Sequence, residues 1–205
     1  KGQETSLILK YDVEEKRIFS RVFYWQNWLN NLWSVFFHLF PDLYQVSTLR
    51  APFSYTDLEE ILAINQANIP EVGNIGDINR LNHLIDWSSH LIVVREEEIA
   101  GFIILMRENQ SYDSLNYEFF NSQGYPFLYV DRIAIKEGHR RKGLGQMIYS
   151  RTIEIAKELN LPTCCEVNTL PKNEPSLAFH DSFGFEDVGT KDYEDHSVVY
   201  LRKSS

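Results

Sequence analysis

Residues 131–145 read D-R-I-A-I-K-E-G-H-R-R-K-G-L-G, an apolar strand that runs into a basic, glycine-rich turn opening a helix. Helix N-termini carry free backbone N–H groups and a partial positive charge, which suits an anion. Gly143 and Gly145 have no Cβ, so the main chain can approach a ligand closely. The turn therefore predicts a pyrophosphate site. Its cations are Arg140, Arg141 and Lys142.

Other phosphate-binding motifs do not fit this stretch. The chain has no G-x-x-x-x-G-K-[ST], and Ile148 stands where a G-x-G-x-x-G fingerprint needs its third glycine. The alternative that involves no ligand is a helix start capped by glycines beside a solvated basic turn.

Around this turn, apolar runs and helical patterns alternate, which predicts a mixed α/β sheet. The second predicted helix starts near residue 77, and the first could take Thr56 as its N-cap. The predicted strands are residues 46–51, 90–96, 99–107, 127–136, 163–168, 186–189 and 197–202, and the predicted helices are residues 56–68, 77–88, 143–159 and 176–183.

The first 45 residues differ in composition from the rest. Residues 28–40 place large apolar side chains at helical spacing and predict an amphipathic helix that Pro41 ends. Residues 6–12 and 17–23 could pair as a hairpin, although the second run could equally extend the helix. The predicted organisation is an aromatic-rich extension over residues 1–45 and a second domain over residues 46–205.

The polar face of the predicted N-terminal helix carries Asn and Ser rather than Lys or Arg, unlike helices at membrane surfaces. The helix is also too short and too polar for a membrane span. We therefore expect it to pack on its own domain or in a homodimer.

Composition excludes broad nucleic-acid binding, because the 205-residue chain has a formal net charge of −9 and such binding needs clustered cations. The only two cysteines, Cys164 and Cys165, are adjacent on a predicted strand and point to opposite faces, so we expect no bridge. With no secretory signal pattern, a cytoplasmic location is expected.

Two spaced motifs resemble those of the GNAT superfamily of N-acetyltransferases. Arg140, Gly143 and Gly145 fill its [RQ]-x-x-G-x-[GA] pattern after an apolar strand, and residues 173–185, N-E-P-S-L-A-F-H-D-S-F-G-F, are similar to its N-x-x-[AS]-x-x-[FL]-Y-x-x-x-G-F. Residues 112–120 and 127–134 resemble, more loosely, a bacterial branch of predicted acetyltransferases. The resemblance implies a GNAT-like fold that uses acetyl-coenzyme A to acetylate an amine.

The resemblance also implies which residues bind the cofactor. The strand before the turn would pair its backbone with the pantetheine arm, the turn would hold the pyrophosphate, and the following helix would add side chains. For Asn173 and Ser176, helix capping is an equally good explanation. The implied cofactor-binding residues are Ile133, Ala134, Ile135, Arg140, Arg141, Lys142, Gly143, Leu144, Gly145, Gln146, Asn173, Ser176 and Phe179.

Amine acetylation needs a base for the ammonium and an acid for the departing thiolate. Glu166 matches the glutamate that ribosomal-protein alanine acetyltransferases carry on the same strand, and Asp131 is its rival. His180 stands where most of the family has a tyrosine, and an imidazolium could donate the proton instead. For either carboxylate, a cross-strand or salt-bridge role is the alternative.

Several other features leave the function open. Tyr112, Tyr117, Phe119, Phe120 and Tyr125 could wall an acceptor site or belong to the core. Residues 192–196, D-Y-E-D-H, lack a second ligand cluster, so no metal site is predicted. The acceptor amine could be a small molecule or a protein, and the alternative function is a non-catalytic acyl-CoA-binding sensor or scaffold.

Overall fold

Residues 43–205, which are the residues that the computed structural model describes, form seven strands, five α-helices and one 3₁₀ turn. The helix and hairpin predicted within residues 1–42 lie outside this part. The strands are β1 (Gln45–Leu49), β2 (Ser88–Arg95), β3 (Ile99–Arg107), β4 (Leu128–Ile135), β5 (Thr163–Leu170), β6 (Glu186–Asp192) and β7 (Ser197–Lys203). The helices are α1 (Tyr55–Gln66), α2 (Ile78–Trp87), α3 (Leu115–Asn121), α4 (Leu144–Leu159) and α5 (Glu174–Ser182), with a 3₁₀ turn at Glu137–His139.

The seven strands form one sheet in the order β1-β2-β3-β4-β5-β7-β6. Every neighbouring pair is antiparallel except β4 and β5, which run parallel. The crossover between these two strands contains the glycine-rich turn and α4. The prediction of a mixed α/β sheet is confirmed. The parallel pair, β4 and β5, lies beside the glycine-rich turn.

The centre of the sheet is covered on both faces. In β3 every residue from Ile99 to Met106 is buried, although successive side chains of a strand point to opposite faces. Such a continuous apolar run is typical of a strand with both faces packed. The two free cysteines are also buried on β5, one after the other.

Local capping chemistry corrects one prediction. Helix α1 starts at Tyr55 and its N-cap is Ser54, not Thr56. The Ser54 hydroxyl accepts a hydrogen bond of 3.0 Å from the backbone N–H of Asp57, which satisfies one of the free donors of the first turn. Asp77 caps α2 in the same way, through the N–H of Arg80 at 2.9 Å.

Helix α3 was not predicted. It lies in the aromatic-rich segment between β3 and β4, and the Ser114 hydroxyl caps it by accepting from the N–H of Tyr117 at 3.3 Å. Tyr117 and Phe120 are fully buried and belong to the core, whereas Tyr112, Phe119 and Tyr125 are partly buried against it. Core packing therefore explains two of the five aromatic residues.

Candidate active site

A gap opens between β4 and β5. The two strands pair only at Leu128–Thr163 and Tyr129–Cys164, although both continue well beyond these pairs. On its other side β4 stays paired with β3 through Ile135. Its edge toward β5 therefore offers unpaired backbone groups from Asp131 onward, the segment where the sequence predicts pairing with a pantetheine arm.

Asp131 marks the point where the strands part. The register between β3 and β4 shifts there, with Ile104 opposite Arg132 and Leu105 opposite Val130, so Asp131 is the extra residue of a β-bulge. Its side chain is only 3% exposed, yet the residue as a whole is only partly buried. The accessible surface of Asp131 is therefore its main chain.

The Asp131 carboxylate is committed to an ion pair. Arg132 donates from Nε to Oδ2 of Asp131 at 2.6 Å, and its own side chain is 8% exposed. The Nη1 group of Arg132 also donates to Oδ1 of Asn65 at 3.1 Å and to the carbonyl of Gly73 at 2.9 Å. These contacts favour a structural role for the Asp131 side chain.

The glycine-rich turn leaves the start of α4 open. Gly143 is the N-cap residue, with φ of 79°, and no side chain caps the helix there. The left-handed conformation suits glycine, although Arg141 also adopts it with φ of 63°. The first N–H groups of α4 are therefore free of side-chain partners and can meet an anion.

The Arg140 side chain does not extend from this turn. Its Nη2 donates to Oδ1 of Asn68 at 2.7 Å and its Nε to the carbonyl of Ile135 at 3.4 Å. Arg140 thus fixes the turn against the end of β4, while Arg141 is exposed and Lys142 half-buried.

Helix α5 lies beside the start of α4. Asn173 is its N-cap and accepts from the N–H of Ser176 at 3.1 Å, so the capping explanation of these two residues holds in this structure. A Cβ added at Gly145 would lie 3.6 Å from Cε2 of Phe179. Phe179 therefore packs directly over the turn, and the contact with the pantetheine arm that the resemblance implies stays a prediction.

Glu166 lies on β5, two residues beyond the last pair with β4, and remains partly accessible. Each of its carboxylate oxygens receives a hydrogen bond. The hydroxyl of Tyr129 donates to Oε2 at 2.7 Å, and Nδ2 of Asn116 donates to Oε1 at 3.1 Å. The carboxylate is thus held at the apex of the gap.

The surroundings of Glu166 adjust its acidity. Burial raises the pKa of its carboxyl to about 7, and the nearby Asp131 carboxylate adds to the rise. The hydrogen bonds from Tyr129 and Asn116 act in the opposite direction. A carboxylate that titrates near neutral pH suits general base catalysis.

His180 lies apart from this carboxylate in an aromatic cluster, where it is 4% exposed. Its Nδ1 is 2.7 Å from the carbonyl oxygen of Ser176, and its Nε2 is 2.5 Å from the hydroxyl of Tyr149. A carbonyl can only accept, so Nδ1 carries the proton. Burial lowers the pKa of His180, and in the neutral ring Nε2 then accepts from Tyr149.

A cavity of about 410 Å³ lies between α2 and the segment that follows β3. Trp87 and Tyr112 form an aromatic wall with ring centroids 5.6 Å apart, and Arg80 and Arg132 line it as well. Burial and the Asp131 carboxylate raise the pKa of Tyr112, so this phenol also lies beside the bulge. Of the five predicted aromatic wall residues, Tyr112 is the one that lines this cavity.

The structure therefore brings most of the predicted site residues together and places His180 apart from Glu166. The turn, Phe179 and the open edge of β4 lie together, and Glu166 stands at the apex of the gap. Sequence reasoning missed Tyr129 and Asn116, the two residues that hold Glu166. The only sequence signal for Tyr129 was its place two residues before Asp131 on the same strand.

Comparison with known proteins agrees with this geometry. The sequence model of the Acetyltransferase (GNAT) family matches residues 40–185. The chain belongs to the GNAT acetyltransferase family. It is therefore an acetyltransferase, as the two spaced motifs predicted, and acetyl-coenzyme A is the acetyl donor of this family.

A curated relative is an N-alpha-acetyltransferase of Sulfurisphaera tokodaii, 24% identical over 138 residues, which cover 65% of this chain and 77% of the relative. The ribosomal-protein-S18-alanine N-acetyltransferase of Escherichia coli has a similar structure, with a TM-score of 0.59 and 15% identity, over 78% of this chain and 93% of the other. The NatC complex bound to Gag peptide and CoA contains a chain with a TM-score of 0.62 and 10% identity, over 79% and 98% of the two chains. At these identities the solved structures show the fold alone.

Within residues 43–205, no helix is both long enough and apolar enough to cross a membrane. In the same part of the chain, His196 of the hairpin turn pairs with Asp195 at 2.7 Å and stacks on Tyr193.

Proposed function

We propose that this GNAT enzyme acetylates a primary amine by direct transfer, with Glu166 as general base. The observation that carries the proposal is the carboxylate held by Tyr129 and Asn116 at the apex of the gap, whose pKa burial raises to about 7. When bound, acetyl-coenzyme A supplies the acetyl group as a reactive thioester. Oε1 or Oε2 of Glu166 takes the proton that the attacking amine releases, directly or through water.

We propose that the cofactor is held by the open edge of β4 and the uncapped start of α4. The fit is supported by the unpaired backbone beyond Tyr129, by the absence of a side-chain cap at Gly143, and by the close packing of Phe179 on Gly145. Arg141 and Lys142 would add charge near the phosphates, while Arg140 fixes the turn.

The pKa of Glu166 also favours one class of acceptor. An α-ammonium has a pKa of roughly 8, whereas a lysine ammonium has one of roughly 10.4. A base near 7 therefore deprotonates an α-amine with a much smaller free-energy penalty. The curated relative carries the name of an N-alpha-acetyltransferase. We propose a peptide or protein N-terminus as the acceptor, with its first side chains at the cavity of Trp87 and Tyr112.

For His180 we propose positioning rather than proton donation. Its Nδ1 proton is engaged by Ser176 and its Nε2 lone pair by Tyr149, so a neutral ring has no proton directed at a ligand. The role of acid, predicted from its place in the motif, stays a prediction.

The location of the protein in the cytoplasm likewise stays a prediction, and two buried free thiols are consistent with it.

The experiment is to incubate purified protein and acetyl-coenzyme A with a peptide library of free N-termini, matched N-formyl peptides with one lysine, and polyamines. Mass spectrometry locates the acetyl group. We expect acetylation of α-amines, and its loss in Glu166→Gln. Exclusive modification of lysine or polyamine nitrogens would overturn the acceptor assignment.

A further inference from the structure

One amide side chain links three separate segments around the proposed base. Asn116, in α3, donates from Nδ2 to Oε1 of Glu166 on β5. Its Oδ1 accepts from the hydroxyl of Tyr193 at 2.8 Å and from that of Tyr200 at 3.2 Å. Tyr193 lies in the turn between β6 and β7, and Tyr200 lies in β7. The amide therefore connects α3, the base and the β6–β7 hairpin.

The chemistry of these partners fixes the orientation of the amide. An ionised carboxylate can only accept hydrogen bonds, so the NH₂ group of Asn116 must face Glu166. This leaves Oδ1 toward Tyr193 and Tyr200, whose hydroxyls can both donate. In this orientation the Asn116 amide donates to Glu166 and accepts from both phenols. The flipped amide would lose these three hydrogen bonds, so it is not an equivalent state.

We propose that Asn116 is a positioning residue, which holds the Glu166 carboxylate in the gap, stabilises its ionised form, and ties both to the placement of the β6–β7 hairpin. The proposal rests on the proposed function, in which Glu166 is the base. Asn116 contacts neither the turn nor the open edge of β4 in any hydrogen bond of the described residues, so it acts through Glu166.

The contribution of Asn116 can be separated from those of the other groups around Glu166. Tyr129 donates to the opposite oxygen, Oε2, and Asp131 acts against ionisation. The titratable groups that face Glu166 within the described residues are Tyr129 and Asp131 on β4, Tyr149 on α4, Cys165 on β5 and Tyr200 on β7. Among them only Tyr200 hydrogen-bonds Asn116, and Asn116→Asp keeps an acceptor for its hydroxyl.

The decisive measurement is an NMR titration of the full chain labelled with [δ-¹³C]glutamate. The signal of Glu166 is assigned as the one that disappears from the spectrum of the Glu166→Gln variant. Asn116→Asp keeps the acceptor for the two phenols but replaces the donor with a like charge. We expect it to raise the pKa of Glu166 by about one unit or more. Asn116→Ala, which removes the donor without adding charge, should raise it by roughly half to one unit.

A matched control lies on the same helix. Asn121 accepts from the N–H of Asn109 and donates to Glu118, away from Glu166. Asn121→Asp should leave the titration of Glu166 near that of the wild type. With an acceptor peptide, Asn116→Asp should lower turnover about tenfold at pH 6 and little near pH 9, because only the ionised fraction of the base changes.

The outcomes separate this proposal from the proposed function. An unchanged Glu166 titration in both folded Asn116 variants overturns the positioning role, whatever the enzyme acetylates. If the titration shifts as expected but Glu166→Gln keeps full turnover, Asn116 does position the carboxylate and Glu166 is not the base. A shift of the same size in Asn121→Asp would also overturn the proposal, as a general effect of charge on α3.

Discussion

The hydroxyl of Tyr129 donates a hydrogen bond of 2.7 Å to Oε2 of Glu166, across two parallel strands at the point where they separate. Tyr129 pairs with Cys164 in the last residue pair between β4 and β5. Glu166 lies on β5 two residues beyond Cys164. A phenol with a pKa raised by burial stays protonated and keeps donating over the working pH range. The Glu166 carboxylate, which we propose as the base, is therefore anchored where the gap begins.

Replacing Glu166 with Gln should lower turnover by about 10²- to 10⁴-fold at pH 7, the usual contribution of a general base. The wild-type rate should rise as the pH increases through about 7, since Glu166 must lose its proton to act. The loss in Glu166→Gln should shrink at high pH, where the amine deprotonates unaided. The measurement is a pH series of turnover on an accepted peptide.

The control for this series is Glu154→Gln, at an exposed position of α4 where Glu154 pairs with Arg151. It should reproduce the wild-type profile. If Glu166→Gln did so as well, the base would lie elsewhere, and Asp131 would be the next residue to replace.

The same carboxyl should make stability depend on pH. Its pKa in the folded state is about 7, against 4.5 when unperturbed, so between these values the folded chain holds a proton that the unfolded chain has released. Stability therefore falls as the pH rises through this window. Glu166→Gln does not ionise, so its stability relative to the wild type should rise by roughly 2–3 kcal/mol between pH 5 and pH 8. Its amide NH₂ must face Tyr129 or Asn116, and that cost is the same at both pH values.

Urea unfolding at both pH values measures this difference. A stability difference between the two proteins that is the same at pH 5 and pH 8 would contradict the raised pKa, because most of the ionisation penalty is missing at the lower pH.

The sheet and the glycine-rich turn could be predicted from sequence because their signals are local. Strand β3 is a continuous apolar run, and the left-handed backbone at the end of the turn falls on a glycine. Helix α3 escaped prediction because only seven residues form it and its core residues lie in an aromatic-rich stretch without a clear period. The exact helix boundaries depended on the N-cap residues. Ser54, not Thr56, caps α1, because its hydroxyl accepts from the N–H of Asp57.

The environment of Glu166 could not be predicted, because it depends on contacts between distant residues. Asn116 is 50 positions from Glu166 and Tyr129 is 37 positions away. Neither separation follows any periodicity of a helix or strand. The family motif located His180, but its partners Tyr149 and Ser176 appear only when α4 and α5 pack together.

Gly143→Glu should abolish measurable coenzyme A binding. It places a side chain and a negative charge at the uncapped helix start, and forces a non-glycine residue into a φ of 79°. Gly124→Glu is the matched control, since Gly124 also has a left-handed φ, of 72°, and a Cβ there meets nothing within 4 Å. Calorimetry should give wild-type affinity for the control. Equal affinity in both variants would contradict the site.

Gly145→Ala separates ligand approach from folding. Its new Cβ would make an ordinary van der Waals contact of 3.6 Å with Phe179, so the fold should keep its thermal midpoint within a few degrees. Coenzyme A affinity should nevertheless fall about tenfold or more, because the main chain could no longer approach the phosphates as closely. Unchanged affinity would mean that Gly145 serves only helix packing.

His180 can be tested as a positioning residue against its predicted role as acid. His180→Phe leaves the buried Tyr149 hydroxyl without its acceptor and should cost about 1–3 kcal/mol of stability at pH 7. Since burial lowers the pKa of His180, the wild type should lose stability as the pH falls below about 6.5, where the unfolded imidazole takes up a proton first, and His180→Phe should lack that loss. Positioning also predicts that the rise of turnover through about pH 7, which belongs to Glu166, persists in the variant. The opposite result would be a wild-type profile of turnover against pH that falls on its alkaline side, with this fall absent in His180→Phe and moved to higher pH in His180→Tyr. It would establish His180 as the acid, because the fall in turnover would then follow the pKa of the side chain at this position.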